Sequence, residues 1–287
     1  MDFIPFQLNI KGKLLDLSSP IVMAIVNVTP DSFYSLSRMK TEKDVLKAVD
    51  KALKDGASMI DVGAYSTRPT SKHISETEEM ERLVKPLKAI RNHFPDVIIS
   101  LDTFRSGVAR WAVENFDVNI INDVSGGTLD DRMFETVADL QIPYVLMHMK
   151  GTPQTMQQLT DYENMMAEIL DFFVKRTARL VHLGVKDIII DPGFGFSKTT
   201  EQNYELLAKM NYFKELEFPI LYGISRKSMI YKLFGTTPEE ALNGTTALNV
   251  LGMMNGANIL RVHDVKEAVE AVKIFSLYQR YQQPQRL

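Results

Sequence analysis

Eight times between residues 21 and 262 the chain repeats one unit. A short apolar run ends on a polar residue or two, and a stretch with the spacing of an amphipathic helix comes next. The clearest copy is Ile188-Ile189-Ile190-Asp191-Pro192-Gly193-Phe194-Gly195-Phe196. Three β-branched residues in succession suit a strand buried on both faces. Pro192 has no N–H to give a neighbouring strand, and Gly193 and Gly195 permit backbone angles that other residues avoid, so the strand must stop at Asp191. An acid is therefore expected on a rigid strand, at the mouth of whatever that strand helps to build. Asp before Pro-Gly also occurs as a plain turn, so it is the repetition that decides between the two.

The other strands are expected at 21–26, 58–62, 97–101, 118–121, 143–147, 219–222 and 258–262. Helical patterns cover 41–53, opened by Thr41 with Asp44 three places on, and then 75–93, 105–114, 130–139, 161–183, 201–209, 239–255 and 265–281. Eight strand–helix units with no long antiparallel stretch predict an α/β protein of the (β/α)8 TIM-barrel class. A doubly wound open sheet is the alternative, but it requires polar edge strands and most of these runs are too apolar for an edge. At 287 residues the chain suits a single domain over 1–287, since such barrels occupy about 250 residues. Residues 1–20 precede the repeat, and their alternation around Lys11-Gly12 predicts an N-terminal β-hairpin extension plugging one end.

Composition narrows the function classes. Zero cysteines exclude a disulfide framework and thiolate chemistry, and a net charge of −3 gives no general electrostatic case for nucleic acid or an anionic membrane. No apolar run approaches the roughly 20 residues of a membrane helix, and the first residues lack the basic and apolar regions of a signal peptide, so a cytoplasmic location is expected.

In a barrel the loops after the strands form the functional face. They begin with Asn27, Asp61, Asp102-Thr103, Asn122-Asp123, Met147-His148-Met149, Asp191, Gly223-Ile224-Ser225-Arg226-Lys227-Ser228 and Arg261-Val262-His263-Asp264. Polar residues at nearly every strand end sort into two sets. Asp102, Asn122, Asp191 and Lys227 form a deep set suited to a flat heterocycle with a donor-rich edge: carboxylates accept paired N–H bonds and Lys227 reaches ring acceptors. Met147 and Phe196 can pack on the ring faces. A buried Asp191–Lys227 ion pair that merely ties two strands together is the plainer alternative. The outer set is cationic: Arg68, Arg261 and His263, joined by Asn27 and Ser66-Thr67, matches phosphate oxygens. Asn27 is a neutral oxygen ligand suited to Mg2+ held mostly by water and phosphate. No nucleotide P-loop is present. Trp111 is expected in the core, His73, His93 and His182 show no metal-binding spacing, and His148 could line the basin or make a structural bond.

These strand ends resemble the dihydropteroate synthase family. The matching motifs are Asn27-Val28-Thr29-Pro30-Asp31-Ser32-Phe33, Ser66-Thr67-Arg68-Pro69, the Asp191 to Phe196 run, Ser225-Arg226-Lys227-Ser228 and Arg261-Val262-His263-Asp264, in the family's order, with coverage from about Ile21 onward. The resemblance implies condensation of 6-hydroxymethyl-7,8-dihydropterin pyrophosphate with 4-aminobenzoate, giving 7,8-dihydropteroate and pyrophosphate. It also implies Mg2+, a homodimer and sensitivity of the family to sulfonamides. By the same resemblance Asp102, Asn122, Met147, Asp191, Phe196, Gly223 and Lys227 hold the pterin, while Asn27, Arg68, Arg261 and His263 hold pyrophosphate, Asn27 also meeting the metal. Phe33, Thr67, Pro69 and Ser228 shape the aminobenzoate pocket, and Asp102, Asp191, Lys227 and Arg261 carry the chemistry. The sequence departs from the family in its first two loops: Tyr34-Ser35-Leu36-Ser37 comes after Phe33, Gly63-Ala64-Tyr65 replaces Gly-Gly-Glu, and Thr70-Ser71 replaces Gly-Ala. Three other readings stay open: a methyltetrahydrofolate methyltransferase-type barrel, which needs no pyrophosphate rim, a Schiff-base aldolase using Lys227, and a silent pterin-binding protein.

Overall fold

Alternation along each strand decides what the barrel presents to its interior and what to its helices. The computed structural model describes residues 3–28, 41–66 and 73–282. A hairpin of β1 (Gln7–Ile10) and β2 (Lys13–Asp16) comes first, followed by β3 (Ile21–Asn27), α1 (Glu42–Lys54), β4 (Met59–Gly63), α2 (Glu76–His93), β5 (Ile99–Asp102) and α3 (Ser106–Phe116). Next are β6 (Ile120–Asp123), α4 (Met133–Leu140), β7 (Tyr144–Met147), α5 (Met165–His182), β8 (Ile188–Asp191) and α6 (Thr200–Lys209). The chain continues through β9 (Ile220–Tyr222), α7 (Ser228–Phe234), α8 (Leu242–Met254), β10 (Ala257–Val262) and α9 (Val265–Gln282). Strands β3 to β10 pair in sequence order, all parallel, and β10 returns to β3, closing an eight-stranded barrel. The expected TIM barrel and its leading hairpin are both present, and the open sheet is ruled out by that closure.

Ile60, Val62, Ile99, Leu101, Ile188 and Ile190 point outward and share one core with Val49 of α1, Leu83 of α2, Val108 of α3 and Phe173 of α5. Their neighbours point inward. Met23, Met59, Ile120, Val145, Ile189, Leu221 and Ile259 form an apolar layer across the lower barrel, and Leu8, Ile10 and Leu17 of the hairpin segment pack onto it. Leu8 and Leu17 are 2% and 0% exposed, a burial that contributes about 1.5–3 kcal/mol for each side chain. Asn9 N–H donates to Asp187 Oδ1 at 2.9 Å, and Asn258 Nδ2 donates to the Ile4 carbonyl at 3.1 Å, fixing the plug to the ends of two strand approaches. One inward position further up, β4, β6, β8 and β10 carry Asp61, Asn122, Asp191 and Arg261, and there the site begins.

Helix starts are set by the capping residues. Thr41 and Asp44 form the reciprocal box that the sequence suggests, and Thr199 with Gln202 does the same for α6. Several starts fall two to four residues later than expected, and one helix is additional. Helix α5 begins at Met165 instead of 161, because the Asn164 side chain accepts the Ala167 N–H at 3.2 Å and caps it there. The segment after β9 carries an additional seven-residue helix, α7, which ends where Gly235 turns left-handed at φ 63°. Among the described residues no helix is long and apolar enough to cross a membrane.

Candidate active site

A cavity of about 400 Å³ opens at the C-terminal ends of the strands. Asn27, Asp102, Asn122, Met147, Asp191, Phe196, Gly223, Lys227, Ser228, Arg261 and His263 all line it. Phe33, Thr67, Arg68 and Pro69 lie outside the described residues.

Register explains the convergence. Gly63 lies beside Asp102, Asp102 beside Asn122, and Met147 beside Asp191, so neighbouring strands deliver their inward side chains at one height. Gly63 keeps room for its neighbour: a Cβ there would stand 3.2 Å from Asp102 Cβ.

Bonded to the lining residues from beneath is one that lies outside both sets expected from the strand ends. Asp61 is fully buried; its Oδ1 accepts from Ser100 Oγ at 2.6 Å, and its Oδ2 from Asn122 Nδ2 at 3.0 Å and Arg261 Nε at 2.7 Å. Arg261 Nη2 also donates to Asp102 Oδ2 at 2.9 Å. Arg261 thus belongs to the acidic floor as much as to the outer cations, and it joins the two sets in one network. The signal for Asp61 was present in Met59-Ile60-Asp61-Val62-Gly63, where alternation turns a charge inward between two apolar outward positions.

Burial drives the Asp102 pKa up to about 7; the Arg261 charge pulls it back, while Asp61, Glu79 and Asp123 push it further up. Asp191 is likewise raised by burial, with Lys227 and the Gly193 N–H opposing the rise. That N–H reaches Asp191 Oδ1 at 2.8 Å. Only glycine fits at 193: its φ is 72°, and a Cβ would meet the His148 carbonyl oxygen at 2.0 Å. Lys227 donates to the Phe194 carbonyl and stands 4.6 Å from the centre of the Phe196 ring. Burial lowers its pKa to about 8 although Asp191 works the other way. No ion pair joins Asp191 to Lys227 among the described residues, so the plainer strand-tying pair is not formed.

His263, expected among the cations, is held neutral. Burial first, then the charge of Arg261, lower its pKa to about 4. Its Nδ1 lies 3.0 Å from Ser225 Oγ, which also accepts the His263 backbone N–H at 3.1 Å. The adjacent Arg226, left-handed at φ 55°, grips Asp264 through Nε and Nη2 at 2.8 and 2.9 Å and bonds two backbone carbonyls. It locks the loop after β9 to the loop after β10.

Tyr65, at one departure from the family pattern, lines the cavity and its hydroxyl meets His73 Nδ1 at 3.1 Å and Gln154 Nε2 at 3.0 Å. His148 is buried at 3% exposure and bonds Lys198, outside the cavity lining. Trp111 packs against the outer core, edge-on to Phe116. Among the described residues no three His, Cys, Asp or Glu side chains are grouped to hold a metal. Asn27, a neutral oxygen ligand of the kind that suits a cation held mainly by phosphate and water, lines the cavity.

Comparison with known proteins gives one answer. The family described as "Pterin binding enzyme" matches residues 23–263. The dihydropteroate synthase of Escherichia coli (strain K12) is 41% identical over 261 residues, covering 90% of this chain and 92% of its own. The structure of the Yersinia pestis dihydropteroate synthase with a sulfonamide drug complex superposes with a TM-score of 0.90 at 38% identity, covering 96% of this chain and 100% of that one. The Xanthomonas albilineans dihydropteroate synthase with 4-aminobenzoic acid gives a TM-score of 0.86 at 36% identity, covering 95% and 98%.

Proposed function

This chain belongs to the pterin binding enzyme family and, within it, to the dihydropteroate synthases, and from that premise we propose how its own residues divide the work. The reaction is the condensation of 6-hydroxymethyl-7,8-dihydropterin pyrophosphate with 4-aminobenzoate to 7,8-dihydropteroate and pyrophosphate. It is a transferase step of folate synthesis, and the same site is a sulfonamide target.

Asp191 and Asn122 read the donor edge of the pterin, Lys227 reaches its carbonyl oxygen, and Met147 and Phe196 cover the ring faces. Arg261 spends Nε and Nη2 on Asp61 and Asp102, which leaves Nη1 to face the leaving pyrophosphate. Asn27, His263 and Arg68 complete that subsite, His263 as a neutral hydrogen-bonding partner. Ser228, with Phe33, Thr67 and Pro69, shapes the aminobenzoate side. Carbon–oxygen cleavage at the pterin methylene sends the electron pair to pyrophosphate, and ionised Asp102 and Asp191 stabilise the positive charge left on the ring. The lone pair of the aromatic amine, already unprotonated near neutral pH, then forms the carbon–nitrogen bond, and the nitrogen loses one proton to water, so no strong base is required. Asn27, together with pyrophosphate oxygens and water, would hold Mg2+, which would supply charge neutralisation on the leaving group. The observation that carries this division is the meeting of Asp102, Asn122, Asp191, Lys227 and Arg261 in one cavity.

Incubation with both substrates and Mg2+ yields dihydropteroate and pyrophosphate, and a chelator abolishes the yield. Absence of product, or product undiminished by the chelator, refutes the corresponding part. The same assay run across pH gives a bell in kcat/KM for the pterin substrate. It falls below about 7, where Asp102 takes up a proton and loses its charge, and above about 8, where Lys227 gives one up. A flat profile from pH 6 to 9 contradicts that assignment.

The chain acts as a homodimer in this reading, which is supported by an apolar stripe on α9. Ile274, Leu277, Tyr278 and Tyr281 are 67%, 54%, 47% and 74% exposed at helical spacing, and α8, which packs on α9, also exposes Leu251 and Met254. Ile274→Glu shifts sedimentation from dimer to monomer; an unchanged dimer rules this face out. We place the enzyme in the cytoplasm, where its lack of cysteines is at home.

A further inference from the structure

The loop after β8 serves the cavity with two of its parts, the Gly193 N–H on Asp191 and the Phe196 ring beside Lys227, yet its conformation is costly. Ser197 sits left-handed at φ 52°, a conformation that is unfavourable for a residue with a side chain. Something must hold the turn. Lys198, 4% exposed and outside the cavity lining, folds its side chain back beneath it. Its Nζ donates to the Gly193 carbonyl at 3.0 Å and the Phe196 carbonyl at 3.0 Å, and lies 3.2 Å from His148 Nδ1. The three protons of an ammonium group are thereby all used, two of them on carbonyls within the turn itself.

The groups facing Lys198 suit that arrangement. His148, at the end of β7, is kept neutral, chiefly by burial and then by the Lys198 charge, so its Nδ1 can accept. Burial lowers the Lys198 pKa to about 7; Asp191 on β8 works the other way, and Lys227 and Lys150, from the loops after β9 and β7, lower it further. Lys150 touches the same turn from outside: its N–H donates to Ser197 Oγ at 2.9 Å, and Ser197 Oγ donates to its carbonyl at 2.9 Å. The turn is thus sewn to the loop after β7 on its outer side and gathered by Lys198 on its inner side.

We propose that Lys198 is a positioning residue for the condensation: its three bonds set the 193–196 turn so that Asp191 and Phe196 meet the pterin ring. It touches no substrate and acts through those two residues only. This role rests on the proposed division of the cavity between pterin, pyrophosphate and aminobenzoate.

The test uses Lys198→Met in the full-length enzyme, with steady-state kinetics for each substrate and a melting curve. The expected result is a rise of about tenfold or more in KM for the pterin substrate, from two buried carbonyls losing their donor, with KM for 4-aminobenzoate within about twofold of the parent. A role in general stability alone would lower the amount of active enzyme and leave both KM values unchanged. Unchanged KM values, or equal rises in both, overturn the proposal. Should Lys198→Met fail to fold, Lys198→Leu, which likewise leaves both carbonyls without a donor, is put through the same comparison with the same criteria. Failure of the parent enzyme to form product would count against the proposed function, whereas a parent that works and a variant without the KM split count against Lys198 alone.

Discussion

Asn in place of Asp191 lowers kcat/KM for the pterin substrate by at least about 100-fold, the scale on which a single preorganised electrostatic contact acts in a transition state. The substitution keeps the shape and the oxygen that accepts the Gly193 N–H at 2.8 Å. What it removes is the charge, and it turns an acceptor of ligand N–H groups into a partial donor facing them. The fold tolerates it: burial already raises the Asp191 pKa, so a neutral group there escapes the desolvation cost that the carboxylate bears. The variant is therefore expected to melt no lower than the parent while losing its turnover. Near-normal kinetics would remove Asp191 from the reaction.

Asp61→Ala has the opposite character and reduces stability by about 3–5 kcal/mol, the range for removing one partner of a buried ion pair. Asp61 is fully buried and satisfies Ser100, Asn122 and Arg261 together. Without it a guanidinium and two polar groups remain in the barrel interior, with Asp102 as the remaining acid bonded to Arg261 among the described residues. Urea denaturation measures the loss directly. A change under about 1 kcal/mol would mean that water replaces the carboxylate easily, and the floor would not depend on Asp61 as described.

The barrel was legible because its pattern is periodic and repeated. In β8, Ile189 faces the lower interior while Ile188 and Ile190 face the helices, which is what a run of three isoleucines ended by Asp-Pro-Gly encodes. The short helix α7 was not legible. Seven residues, Ser228 to Phe234, make less than two full turns, too few for an apolar period to stand out beside the polar Ser225–Ser228 motif. The site was legible as a set of strand ends but not as a set of bonds. Arg261 meets Asp61 across 200 positions of chain, and only closure of the sheet reveals that its charge is spent inward. Likewise nothing in the local sequence around His263 tells that burial and Arg261 keep it neutral, so its place among the cations was an inference from residue type alone. Asp61 escaped for a different reason: Asp102, Asn122 and Asp191 stand at or beside the ends of their strands, whereas Asp61 lies in the middle of β4.

The apolar stopper formed by Leu8, Ile10 and Leu17 at the bottom of the barrel turns the reaction chamber into a cul-de-sac. Traffic must enter and leave by the same door, so the guest with the innermost seat has to arrive ahead of the one nearer the threshold. With the pterin seated deepest, as proposed above, the bicyclic partner loads before the aniline, and a molecule lodged at the threshold in an otherwise vacant chamber bars the way to productive loading.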